Sequence, residues 1–305
     1  DGLYNPPHPE QATVGSASKG AQRQPGLPLH SPPGRETMLD TSERRLPMAE
    51  FKSHYIQANG IRLHYVREGR GEPLLLLHGW PEFWYAWRKV IPDLARDFDV
   101  IAPDLRGFGD SEKPSAGPSD QAGADVHAAD MLALADALGL QRFGIVSHDV
   151  GACAAQAMAR RASDRLRGLF FFNCPYPGIG PRALVPENLI EIWYQSFHQL
   201  PVAPAVVGSS REACRIYFRH FLSHWAHDPH AFDEDLEAWV DNFMKPGNLQ
   251  GGFNWYISAN KSRLAAMRGE APKTAPIAVP TRVLWGESDP VTRSAWTKGL
   301  EAYFS

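Results

Sequence analysis

The sequence predicts an α/β protein: a mostly parallel sheet with helices on both faces and a helical insertion late in the chain. Three observations carry this. Short apolar runs at Leu74 to Leu77, Val100 to Ala102 and Phe143 to Val146 read as strands buried on both faces, as parallel strands are. Helix-period segments alternate with them: Met131, Leu134, Ala135 and Leu138 fall at i, i+3, i+4 and i+7, and Gly139 follows as a stop. Residues 176–276 then hold aromatic helical patterns and no evident strand.

Taken in order, residues 1–50 are expected to be a disordered leader, because seven prolines from Pro6 to Pro33 alternate with Gly, Ser and Gln without a period. Met38 and Met48 are candidate natural starts. From Phe51 the chain is regular, with Ile61, Leu63 and Tyr65 alternating in a strand. An Ala-rich helix is expected from the break after Phe143 to Val146 as far as about Arg161, then strands at Leu169 to Phe172 and Arg282 to Trp285. The core thus divides into 51–175 and 277–305, separated by a helical cap over 176–276 with patterns such as Ile192, Trp193, Phe197 and Ile216, Tyr217, His220, Phe221. An insertion at the carboxyl edge of a parallel sheet is expected to cover a ligand site.

Composition excludes several functions. The 305 residues are 43% hydrophobic and 21% charged with a formal charge of -3, which suits a globular domain and gives no attraction to nucleic acid or an anionic membrane. The Leu74 to Leu77 run is far short of the roughly 20 residues of a membrane helix, and no basic start leads into an apolar segment. Cys153, Cys174 and Cys214 lack zinc-type spacing and read as small buried residues in a reducing compartment, so a cytoplasmic location is expected.

The chemistry concentrates at Ser147-His148-Asp149-Val150-Gly151, where an apolar strand breaks and enters the Ala-rich helix. This reads as a nucleophile elbow with Asp where esterases carry Ser. A carboxylate attacks an sp³ carbon and becomes an alkyl ester, whereas a Ser alkoxide suits acyl transfer, so the elbow predicts alkyl transfer to Asp149 followed by hydrolysis. Ser147 lies two residues earlier, still on the strand. After Leu77, the turn His78-Gly79-Trp80-Pro81-Glu82-Phe83-Trp84 can aim the Trp80 N–H at an oxyanion, with Val150 N–H as second donor. The Asp104 to Ser111 segment is read as structural: Gly107 and Gly109 permit a turn with positive φ, and no P-loop Lys follows.

Together, His78 to Arg88, the Asp104 turn and Ser147 to Gly151 resemble the α/β-hydrolase-fold epoxide hydrolases, whose close relatives are the haloalkane and haloacetate dehalogenases. The resemblance runs from about Phe51 to Ser305. It implies the α/β-hydrolase fold and cofactor-independent, metal-independent opening of a small apolar epoxide by water to a vicinal diol. Trp193-Tyr194-Gln195-Ser196-Phe197 and Phe253-Asn254-Trp255-Tyr256 resemble the segments bearing the family's two ring-opening tyrosines. An epoxide oxygen must be hydrogen-bonded or protonated to leave, and phenols stay protonated at neutral pH, so Tyr194 and Tyr256 are candidate acids. Val150 departs from the Trp common in that position. It also lacks the Trp or Arg that the dehalogenases carry there, and Trp80 and Tyr194 likewise depart from their patterns. A hydrolytic dehalogenase and a non-catalytic ligand-binding protein remain the alternatives.

Asp289, in Leu284-Trp285-Gly286-Glu287-Ser288-Asp289-Pro290, matches the family's acid, whereas Asn173, after the earlier strand, supplies no charge. The family order puts a His about twenty-five to thirty residues after the acid. The chain stops at Ser305 with no His after His230, so the expectation is a truncated C-terminus lacking the last strand, helix and base, and slow ester hydrolysis. His148 is expected to point away from Asp149. His220, His224, His227 and His230 have helical spacing but no intervening Glu, and no metal is expected.

Overall fold

The computed structural model describes residues 51–114, 122–271 and 273–305, so the leader assigned to residues 1–50 lies outside it. The strands are β1 (Ser53–Ala58), β2 (Ile61–Gly69), β3 (Glu72–Leu77), β4 (Phe98–Pro103), β5 (Phe143–His148), β6 (Leu166–Phe172) and β7 (Thr281–Leu284). They form one sheet in the order β1-β2-β4-β3-β5-β6-β7. The pairs β1/β2 and β2/β4 are antiparallel; every pair from β4 to β7 is parallel. β3 lies between β4 and β5, which is why Leu75, Leu76 and Leu77 are wholly buried, each contributing about 2 kcal/mol of burial.

β1 is an addition to the sequence reading, which starts its strands at Ile61. Its side chains alternate, with Ser53, Tyr55 and Gln57 exposed and His54, Ile56 and Ala58 more buried, and Asn59 (φ 48°) and Gly60 (φ 76°) form the left-handed pair that suits a two-residue hairpin.

α1 (Ile91–Leu94), α2 (Ala124–Ala137) and α3 (Asp149–Arg161) connect the strands. α2 buries Met131, Leu134 and Ala135, the expected periodic positions, and packs against α3. α3 approaches the sheet closely because its inner residues are small: Ala152, Ala154 and Ala155 are fully buried, and a Cβ on Gly151 would lie 2.3 Å from the Leu77 carbonyl oxygen.

Between β6 and β7 lie α4 (Pro186–Leu189), α5 (Trp193–Phe197), α6 (Ala203–Val207), α7 (Arg211–His224), α8 (Leu236–Phe243) and α9 (Asn248–Met267). α7 is capped by the Ser210 hydroxyl, which accepts from Ala213 N–H at 3.0 Å. Its buried face is Cys214, Phe218, Phe221 and Leu222; Ile216, grouped with that face by the sequence pattern, points outward at 63% exposure. No helix among the described residues is long and apolar enough to cross a membrane. The three cysteines are free, and burial pushes the Cys174 thiol up to about 12 and Cys214 to about 11.

Candidate active site

β3 is followed by His78, whose fully buried ring ties two loops together. Its Nε2 accepts from Leu105 N–H at 3.0 Å, so the proton sits on Nδ1, which donates to the Gly79 carbonyl at 2.8 Å. Burial lowers its pKa and keeps it neutral. The following turn closes on itself: Gly79 N–H donates to Glu82 Oε2 at 2.6 Å, and Glu82 N–H donates to the Gly79 carbonyl at 3.2 Å. Trp80 N–H then points at Asp149 Oδ2, 3.0 Å away.

Asp149 has φ 45°, a left-handed conformation that costs a non-glycine residue about 1–3 kcal/mol. The strand-to-helix break imposes it, and Gly151 makes it possible by letting α3 sit against Leu77. Val150 N–H is a second hydrogen-bond donor to the carboxylate. Burial raises the Asp149 pKa, opposed by the charge on His148 and the Trp80 N–H, while Glu82 adds to the rise.

His148 makes its hydrogen bond to Glu82 Oε2, 3.1 Å from Nδ1. It does not point away from Asp149: a Cβ on Gly79 would lie 3.1 Å from both His148 Nδ1 and Asp149 Oδ2, so imidazole and carboxylate flank the same glycine. Burial lowers the His148 pKa, but the adjoining Glu82 carboxylate, with Asp149 and Asp289, outweighs it and lifts the value to about 9. For Glu82, burial raises the pKa, and His148 and the Gly79 N–H bring it down to about 2. An ion pair therefore sits beside Asp149.

Tyr194 on α5 and Tyr256 on α9 are buried, their rings 5.5 Å apart and nearly perpendicular. Both phenols are raised above the ordinary tyrosine value, mainly by burial and further by Asp149, so both stay protonated at neutral pH. The Trp80 indole, 2% exposed, stacks on Tyr194 and meets Tyr256 edge to face. Gln195 Nε2 donates to the Tyr194 hydroxyl at 3.3 Å, and Arg263 Nη1 donates to Gln195 Oε1 at 2.9 Å.

Asp289 follows β7. Its Oδ1 accepts from the N–H groups of Val291 (2.7 Å) and Thr292 (2.8 Å); its Oδ2 accepts from Thr292 Oγ1 (2.7 Å) and the Asn173 amide. Asn173, just after β6 with φ 40°, also accepts from Gly286 N–H at 2.9 Å. The two acid positions weighed from sequence therefore form one unit.

Residues 72–299 match the alpha/beta hydrolase fold family. A soluble epoxide hydrolase from a Corynebacterium species is 35% identical over 260 residues, covering 83% of this chain and 87% of that protein. The chain belongs to the epoxide hydrolases of the α/β hydrolase fold. Mouse (Mus musculus) epoxide hydrolase 4 is 32% identical over 243 residues, 77% of this chain and 65% of that longer protein. Among solved structures, the epoxide hydrolase VrEH1 of Vigna radiata superposes with a TM-score of 0.68 at 27% identity, covering 84% of this chain and 86% of that one.

In this epoxide hydrolase the Asp104 turn is structural, as the sequence predicts. Its carboxylate accepts from Trp84 N–H and Asp110 N–H, both at 2.8 Å, and pairs with His64 at 2.7 Å. Gly107 (φ 86°) lies so near α9 that a Cβ on Gly251 would fall 1.9 Å from its carbonyl oxygen. The late histidines go elsewhere: His224 to Glu191, His230 to Asp233 and His227 to Ser288. The described residues hold no group of three or more His, Cys, Asp or Glu able to hold a metal.

Sequence reasoning missed the Glu82–His148 pair and the Arg263–Gln195 contact. Glu82 had a local signal, a Glu three residues after Gly79 able to return to its N–H as in a capping box. Arg263 had none, since its partner lies 68 residues away.

Proposed function

We propose that the chain opens an oxirane to a vicinal diol through an alkyl ester on Asp149, within a site covered by the helical insertion between β6 and β7. One observation carries this reading: Trp80 donates its N–H to Asp149, which is held at positive φ, while its indole packs on both buried phenols, so the carboxylate and the two phenols gather about one residue. Tyr194 and Tyr256 donate hydrogen bonds to the ring oxygen. An Asp149 oxygen attacks a ring carbon, the C–O bond breaks, and its electron pair leaves on the oxygen that the phenols protonate. Water then adds to the ester carbonyl carbon, its proton returning to the tyrosinate left by ring opening, and the Trp80 and Val150 N–H groups stabilise the oxyanion on the former carboxylate. Collapse releases the diol and regenerates Asp149.

Asp289 serves to orient a general-base imidazole. Among the described residues its carboxylate is held by Val291, Thr292 and Asn173. The aromatic walls of Trp80, Trp225 and Phe221 around Tyr194 favour small apolar epoxides, and the reading includes a cytoplasmic enzyme needing no cofactor. The names of the Corynebacterium and Vigna relatives support the substrate class.

Intact-mass spectrometry after incubation with an aryl epoxide tests this. The expected result is a gain of the whole epoxide mass on Asp149, absent in Asp149→Asn of unchanged circular dichroism. An alkyl gain from a bromoalkane with halide released, and none from the epoxide, replaces it with a dehalogenase. No adduct from folded protein favours a binding protein.

A further inference from the structure

Arg263 stands on α9 seven residues after Tyr256, two turns along the same face. Its Nη1 reaches Gln195 Oε1 at 2.9 Å and its Nη2 reaches Asn260 Oδ1 at 3.1 Å, while its buried Nε has no partner among the described residues. A guanidinium only donates, so the Gln195 atom facing it must be the amide oxygen. The amide NH₂ then faces the other way, onto the Tyr194 hydroxyl at 3.3 Å. In the opposite flip, Gln195 would accept the Tyr194 proton and withhold it from any substrate.

We infer that Arg263 is a positioning residue: it locks the Gln195 amide so that Tyr194 accepts from Gln195 and keeps its own proton for the pocket. The inference rests on the ring-opening role proposed for Tyr194. The helix that carries one acid thus sets the hydrogen-bond polarity of the other. The other groups bearing on Tyr194 are Tyr256, Asp149 and Asp289, with the His198 ring packed against it. None of these holds the amide. Gln195 donation also favours phenolate character as the proton moves towards the epoxide oxygen.

The decisive variant is Gln195→Glu, whose carboxylate can pair with Arg263 but accepts the Tyr194 proton. The expected result is a thermal midpoint at or above the parent, with epoxide adduct formation slowed about 10–100-fold. Gln195→Met, which neither donates nor accepts, falls between the two. Arg263→Lys retains a donor and recovers part of the rate lost in Arg263→Met. A packing role predicts the reverse order, with Glu close to the parent and Met worst. In ¹³Cζ-tyrosine-labelled protein at pH 7, the Tyr194 resonance, assigned with Tyr194→Phe, shifts downfield in Gln195→Glu as the phenol donates to a carboxylate. A parent-like adduct rate in Gln195→Glu overturns the inference, as does an unmoved resonance. Absence of any adduct in the parent defeats the proposed reaction instead, and the resonance still decides the amide orientation.

Discussion

The indole of Trp80 lies parallel to the ring of Tyr194, centroids 5.2 Å apart and planes 9° from coplanar, while the backbone N–H of the same Trp80 donates to Asp149. One residue thereby sets the Tyr194 phenol against the Asp149 carboxylate: its main chain addresses the carboxylate and its side chain the phenol. The indole N–H has no partner among the described residues, so the side chain contributes shape and stacking rather than a hydrogen bond. Trp80→Phe should leave ester hydrolysis little changed and slow ester formation about tenfold by loosening Tyr194. Repacking should cost about 1–2 kcal/mol. Separate rates of adduct formation and decay, with a thermal melt, check this.

The Glu82–His148 pair gives stability a pH dependence. The folded His148 pKa, about 9, lies above its ordinary 6.5, so its contribution is complete below about pH 6.5 and is lost as pH rises through 9. The folded Glu82 pKa, about 2, lies below 4.5, so its contribution is complete above pH 4.5 and is lost as pH falls towards 2. The side chains are 33% and 21% exposed, and solvent screening limits the pair to about 1 kcal/mol. Melting temperature plotted against pH should decline between 6.5 and 9 in the parent, and that decline should flatten in Glu82→Gln.

Asn173→Asp sets a second carboxylate against Asp289. Two such groups cannot both ionise cheaply, so the folded state holds a proton that the unfolded state releases near pH 4. The variant should be less stable than the parent by about 1–3 kcal/mol at pH 7, the difference narrowing as pH falls towards 4. Urea unfolding at both pH values measures it; a constant difference would refute the contact's electrostatic character.

Gly151→Ala should be costly. Its Cβ would meet backbone, 2.3 Å from Leu77 O and 2.6 Å from Leu77 C, and backbone cannot rotate aside. A loss of about 3 kcal/mol or more, with Asp149 displaced, should appear as reduced soluble yield and no adduct.

The sheet was legible because its centre is a run of leucines that tolerates no other placement, and the elbow because its residue order is itself a backbone geometry. β1 was harder: polar His54 shares the more buried face with Ile56 and Ala58 while apolar Tyr55 is exposed, so hydrophobicity does not follow the alternation of exposure, and only Asn59-Gly60 marks the hairpin. Tyr194 and Tyr256 were singled out by resemblance alone, since nothing local separates a ring-opening phenol from one that packs. Contacts between distant segments, Glu82 with His148 and Gln195 with Arg263, become visible only once the loops are folded against each other.

The meeting of Gly107 with Gly251 sets how motion reaches the site. Neither residue has a side chain to compress, so α9 bears on the core as a lever on a hard fulcrum. Tyr256 is five residues from that point, about 7.5 Å along the helix, and Arg263 is twelve, about 18 Å. A swing that carries Arg263 through about 1 Å moves Tyr256 by only about 0.4 Å. The far end of the helix can flex with the surface while the phenol keeps its aim.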